Sequence, residues 1–179
     1  MKDLTETVES CRRVMEGRAV VVDELKVKLP SGRITTREVV RHRGAAVVLA
    51  RRTDGLFVLE RQYRAAVGET LLETIAGGIE PGEKPEDAAR RELLEESGYE
   101  ATSLTFLGSY VMCPGTSEER HYIYLAEVPD HPGDQQFDYD ENLEVVLLSA
   151  EEIEQKLASG ELHDGKTALA WFLYLRHHA

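Results

Sequence analysis

The sequence predicts a mixed-sheet α/β or α+β sandwich with a small antiparallel β unit at its N-terminus. Three observations predict it. Apolar and β-branched runs of strand length, separated by turn signals, fill most of the chain up to residue 76. One amphipathic helix then interrupts the strands, more strands follow, and two helices finish the chain. That order differs from the alternating strand–helix repeat of a purely parallel sheet. At 179 residues, there is material for one good core and a small accessory unit.

The elements follow in order. Residues 5–14 suit a strand and a helix equally. Residues 19–28 (AVVVDELKVK) read as a strand, Pro30-Ser31-Gly32 as a turn, and 34–41 (ITTREVVR) as the returning strand of a hairpin. This β unit spans 1–42, and the main domain 43–179. Residues 45–51 (AAVVLAR) form an apolar strand, Asp54-Gly55 a tight turn, and 56–62 the return. Residues 70–76 (TLLETIA) form one more strand, running straight into Gly77-Gly78. A helix follows over 85–97, with Pro85 at its first position and Gly98 as its stop. Residues 103–111 and 121–128 are strands flanking the loop CPGTSEER, 130–141 is a polar loop, and 143–148 is a short strand. Helices over 150–159, stopped by Gly160, and 166–178 complete the chain.

Composition narrows the function. The formal net charge of −12 argues against a nucleic-acid surface, which needs basic patches. A negatively charged substrate fits this charge only with metal ions between the two. No apolar run approaches the ~20 residues that span a bilayer. The N-terminus is too polar for a secretory signal, and none is expected. The two cysteines, Cys11 and Cys113, form no CxxC, and the six histidines show no ligand spacing. A cytoplasmic, reducing location is expected, with Cys113 a buried small hydrophobe, His121 a strand-end structural residue and Trp171 a packing residue.

Charge concentrates in one stretch. Residues 73–100 hold nine acidic side chains against three basic ones. On a helix at ~100° per residue, with Ala88 at zero, Glu92, Glu95 and Glu96 fall within roughly 100° of arc. Leu93 and Leu94 lie on the other side. The helix thus has an apolar back and a carboxylate front. Glu92 and Glu96 are a like-charge i,i+4 pair, which weakens a free helix by about 0.2–0.5 kcal/mol. A solvated acidic face would also look like this. Ala76-Gly77-Gly78 just before the helix lets the backbone approach a ligand closely. Hard cations such as Mg²⁺ take carboxylate and carbonyl oxygens.

The spacing Gly77, five residues, Glu83, seven residues, Arg91-Glu92-Leu93, one residue, Glu95-Glu96, one residue, Gly98-Tyr99 resembles the Nudix box. All seven fixed residue types are met, which chance supplies about 10⁻⁸ times per start position. Tyr99 stands where an aliphatic residue is usual. The context resembles the branch of ADP-ribose pyrophosphatases and nucleotide-sugar hydrolases. Its marks are Arg61-Gln62-Tyr63-Arg64, the approach segment Glu73-Thr74-Ile75-Ala76-Gly77 with Ile75 replacing a proline, the loop Pro114–Glu119, and Asp164-Gly165-Lys166-Thr167.

The resemblance implies a Nudix-type α/β/α sandwich that hydrolyses a pyrophosphate bond with Mg²⁺ or Mn²⁺. The implied metal ligands are the Ala76 carbonyl, Glu92, Glu95 and Glu96. Glu83 sits beside the metals, and Arg91 orients the carboxylates. Glu119, or else Glu118, is the implied general base. Arg64, Arg61 and Glu80 are implied substrate contacts, and Arg37 faces the base across a homodimer in which N-terminal units pack on the partner. Arg61 and Arg64 also suit a solvated strand end, and Glu80 beside Pro81-Gly82 suits a plain turn. The expected substrate is ADP-ribose or a related nucleotide sugar, with GDP-mannose or another such sugar as the alternative. A house-cleaning nucleoside triphosphatase, against which the extra N-terminal unit and the long loop–helix C-terminus argue, and a non-catalytic nucleotide-sugar-binding module on the same scaffold are the remaining ones. No nucleic-acid or membrane partner is expected.

Overall fold

A computed structural model describes residues 2–133 and 142–178. Most of the polar loop expected over 130–141 lies outside the described residues. The chain divides into two compact units: residues 1–44 with 111–120, and residues 45–110 with 121–179.

The first unit is built on a three-stranded antiparallel sheet, β1 (Thr7–Glu16), β2 (Val21–Lys28) and β3 (Ile34–Arg41), in that order. The ambiguous segment is therefore a strand: its backbone pairs with β2 from Thr7↔Lys28 to Glu16↔Val21. All ten residues of β1 are exposed, so no apolar face could have revealed its period. The loop after residue 111 joins β3 through Val40, whose N–H donates to Thr116 O and whose carbonyl accepts from Glu118 N.

The second unit carries β4 (Ala45–Arg52), β5 (Phe57–Arg64), β6 (Glu69–Glu73), β7 (Ile75–Gly78), β8 (Ser103–Val111), β9 (Arg120–Val128) and β10 (Leu143–Leu148). The main order is β10-β5-β4-β9-β8, with β6 on β5 and β7 on β4. The β4–β9 pair is parallel, while β5, β7 and β10 pair antiparallel. The helices are α1 (Pro85–Ser97), α2 (Ala150–Ser159) and α3 (Gly165–His177).

β4 shows why this is a sandwich. Its first six residues are buried, as expected for a strand covered on both faces. Ala46, Val48 and Ala50 join one core with Ala88, Ala89 and Leu93 of α1. Val47 and Leu49 join another with Ile153 of α2 and Ala170, Trp171 and Leu173 of α3. Alternate side chains thus meet helices on opposite faces. Tyr99 packs in the first core at 2% exposure.

The segment expected as one strand over 70–76 is two. β4 and β5 pair only at Ala50↔Val58 and Arg51↔Phe57, near their turn. Beyond that, β6 pairs with β5 from Glu60↔Glu73 to Arg64↔Glu69. β7 pairs with β4 from Val48↔Ile75 to Ala45↔Gly78. The chain changes partner at Thr74, which belongs to neither ladder. That crossover delivers Ala76–Gly78 to the start of α1.

Candidate active site

α1 starts at Pro85, whose missing N–H costs nothing in a first turn. Glu86 and Asp87 follow, favourable at the positive end of the helix dipole. Gly98 ends it at φ 74°, donating to Leu94 O. Ala88, Ala89 and Leu93 are fully buried, whereas Leu94 is half-buried. The back of the helix is therefore Leu93 with the two alanines, and Ala88 belongs to the core rather than to the carboxylate front.

That front is not a solvated face. Glu92 and Glu96 are 7% and 4% exposed. Gly77 explains the seating of Glu92: a Cβ there would lie 2.0 Å from the Glu92 carboxyl carbon. The glycine is required by space, not by backbone angle. The Ala76 N–H donates to Glu96 Oε2 at 3.2 Å. The backbone of β7 and the two glutamates of α1 are thus in direct register.

Arg91 organises the rest. Its Nε and Nη2 each lie 2.9 Å from a carboxylate oxygen of Glu83. Its Nη1 donates to Glu92 at 2.6 Å and Glu95 at 3.0 Å, and Nη2 also donates to the Gly78 carbonyl at 2.9 Å. The Arg91 pair holds the Glu83 carboxyl below its usual range. Glu83, followed by Glu92, pushes the guanidinium further into its charged form. Three carboxylates thus share one cation. Among the described residues, no group of three or more His, Cys, Asp or Glu already stands as a metal-binding cluster. The donor chemistry nonetheless fits a hard divalent cation, which needs one or two carboxylates and completes its shell with water and phosphate.

Beside this lies a buried ion-pair network that the sequence pointed to only in part. Arg64 binds Glu73 through Nε and Nη2, both at 2.8 Å. Lys166 of α3 also contacts Glu73, and Asp164 at 3.1 Å. Burial pushes the Glu73 carboxyl up, but Arg64 and Lys166 outweigh it and hold the group below its usual range. Glu60, opposite Glu73 in register, is fully buried too. Glu60, Glu73 and Lys166 were not among the expected site residues. The signals were a charge inside the apolar run LFVLERQ and the Asp164–Thr167 motif.

The other candidates make contacts of their own. Arg61 makes an exposed ion pair with Glu144 at 3.2 Å. Glu80 is exposed and its N–H donates to Glu83 Oε2 at 2.9 Å, which is turn geometry. In the first unit, Arg37 pairs with Glu6 at 2.6 Å. Glu118 accepts from Arg41 at 2.8 Å and from the His42 N–H at 3.2 Å. Glu119 lies 3.9 Å from the His42 ring. His121 and Trp171 are buried. Cys113 is exposed, contrary to expectation, because its loop turns back on itself with the thiol 3.3 Å from the Thr116 hydroxyl. Among the described residues, no helix is long and apolar enough to cross a membrane.

The NUDIX domain matches residues 40–172. An ADP-ribose pyrophosphatase of Bacillus subtilis (strain 168) is 35% identical over 171 residues, 95% of this chain and 92% of that protein. A methanol dehydrogenase activator of Bacillus methanolicus is 33% identical, covering 88% of this chain and 86% of that protein. A GDP-mannose pyrophosphatase of Escherichia coli O157:H7 is 32% identical over 74% of this chain and 77% of that protein. A crystal structure of an ADP compounds hydrolase superposes with a TM-score of 0.84 at 26% identity, over 98% of this chain and 96% of that one. A box seated on the crossover strand, a matching domain over most of the length and relatives spanned nearly end to end lead to one conclusion: the chain belongs to the Nudix family, as a hydrolase related to ADP-ribose and GDP-mannose pyrophosphatases.

Proposed function

We propose that this protein hydrolyses the pyrophosphate bond of ADP-ribose or a related nucleotide sugar, giving a nucleoside monophosphate and a sugar phosphate, with Mg²⁺ or Mn²⁺. The observation that carries this reading is the seating of Glu92 and Glu96 against β7, with Gly77 making room for one and Ala76 donating to the other. The similarity to the Bacillus subtilis ADP-ribose pyrophosphatase along almost the whole chain supports the substrate class.

In this reading Glu92, Glu95, Glu96 and the Ala76 carbonyl hold the divalent ion. When bound, such an ion neutralises pyrophosphate charge and acidifies a water. Arg91 keeps the glutamates aimed, and Glu83 fixes Arg91 by both oxygens. Glu119, or Glu118, takes the proton of the attacking water. Arg64 binds phosphate through Nη1, since Nε and Nη2 are used by Glu73. Glu80, Arg61 and Arg37 contact the remainder of the substrate. The protein acts as a homodimer with its N-terminal units packed on the partner. The ten exposed residues of β1, Val8, Val14 and Met15 among them, support that assembly.

The test is a panel of ADP-ribose, GDP-mannose, UDP-sugars, NADH, diadenosine polyphosphates and dNTPs with Mg²⁺. AMP and ribose 5-phosphate from ADP-ribose, at the highest kcat/KM of the panel, are expected. A higher value for GDP-mannose moves the protein to the second reading, which the similarity to the GDP-mannose pyrophosphatases favours. Light scattering on the eluting protein checks the dimer; a monomer mass overturns it.

A further inference from the structure

We infer that Thr167, on α3, is a positioning residue for the proposed metal site. The inference rests on the reading that Glu92 and Glu96 hold a divalent ion. Thr74 stands at the crossover between β6 and β7, outside both ladders. Its N–H is taken by the Thr167 hydroxyl at 2.8 Å. That hydroxyl donates in turn to Asp164 Oδ2 at 2.5 Å, so its own proton is committed and its lone pair is aimed at Thr74. The same Asp164 oxygen accepts the Thr167 N–H at 3.0 Å and caps the helix. Thr74 and Thr167 are 0% and 1% exposed, which leaves no ordinary access for water to replace the bond.

Position is the point of this arrangement. Two residues beyond Thr74, Ala76 meets Glu96, and the next residue, Gly77, accommodates Glu92. The segment is thus held from both ends: α3 grips the crossover and α1 meets it at the strand. Lys166 reinforces the same grip by contacting Glu73 on the other side of Thr74. A buried N–H without its acceptor must find another partner or shift. Either response moves Ala76 and Gly77 relative to the glutamates, in the way that losing an outer partner loosens a metal ligand.

The experiment is a Mn²⁺ titration of the full-length protein without substrate, followed by electron paramagnetic resonance, beside thermal melts. Thr167→Val keeps shape and removes the hydroxyl. It is expected to weaken Mn²⁺ binding by about tenfold, with Thr167→Ser restoring it. Ile153→Val in α2 removes one core methylene and no hydrogen bond. It is expected to lower the melting temperature and leave Mn²⁺ affinity unchanged. Wild-type Mn²⁺ affinity in Thr167→Val overturns the inference, as does an equal loss in Ile153→Val. If Thr167→Val does not fold, Thr167→Ala, which also removes the hydroxyl, carries the same expectation and the same overturning result. Glu96→Gln separates the two claims. If it binds Mn²⁺ as well as wild type does, the metal assignment itself falls. If it loses binding while Thr167→Val does not, only the positioning role falls.

Discussion

Around α1, three carboxylates converge on one guanidinium; in the first unit, two guanidiniums converge on one carboxylate. Arg91 serves Glu83, Glu92 and Glu95, with Glu96 buried nearby. Asp23, by contrast, is gripped by Arg13 at 2.5 Å and Arg41 at 2.8 Å. Both clusters remove carboxylates from water, which is costly unless charge is matched. Arg13 also pairs with Glu16 and Arg41 with Glu118, so the Asp23 cluster sets two guanidiniums against three carboxylates and is the nearer to balance. The α1 cluster is short of positive charge, and a divalent ion would supply it. Glu73, shared by Arg64 and Lys166, sides with Asp23 although it lies in the same unit as α1. On the proposed reading, the larger shortfall of positive charge marks the carboxylates that would hold the ion.

The sharpest way to break this contrast is at Glu96. Glu96→Gln is expected to lower kcat by more than about a hundredfold, since metal stabilisation amounts to several kcal/mol of barrier. It should leave the melting temperature equal or slightly raised, because one like charge is removed. Near-wild-type turnover would erase the distinction. Glu73→Gln should behave in the opposite sense. Leaving Arg64 and Lys166 without their carboxylate is expected to cost about 2 kcal/mol in denaturant unfolding. An unchanged midpoint would show that the charge-matched cluster contributes no stability.

The Asp23 cluster sharpens the comparison through pH. Arg13, then Arg41, holds the Asp23 carboxyl down at about 2. A depressed carboxylate stabilises the fold fully above its unfolded value, near 3.9, and loses that contribution as pH falls through about 2. The melting-temperature gap between wild type and Asp23→Asn should therefore be constant from pH 7 to about 5 and close between about 4 and 2. A gap undiminished at pH 2 would mean that the pair with arginine is not its source. The smallest effect is expected at Arg61. Its partner Glu144 and the guanidinium are both more than half exposed. Arg61→Ala should change unfolding free energy by less than about 0.5 kcal/mol. A larger loss would show that exposed pairs here matter as much as buried ones.

Much of this site was legible because its signals are local. The box spacing, Pro85 and Gly98 mark the helix, and its periodicity groups the glutamates. The network around Thr74 was not legible, since its members lie 93 residues apart in pairs such as Thr74–Thr167. A strand that changes partner midway looks like an uninterrupted one from the outside, because Thr74 keeps the β-branched character of its neighbours. β1 was equally opaque, for with all ten residues exposed it carries no face pattern to read.

By itself the sequence determined most of the order of elements, the one helix that carries the carboxylates, and the glycine before it. These depend on periodicity, caps and spacing, which are properties of neighbours along the chain. Only the tertiary structure decided how that negative charge is met. It buried Glu92 and Glu96, gave Arg91 to three partners, and committed Arg64 to Glu73. The reason is physical: a charge acts through distance and dielectric, and both are set by the packing of segments far apart in sequence.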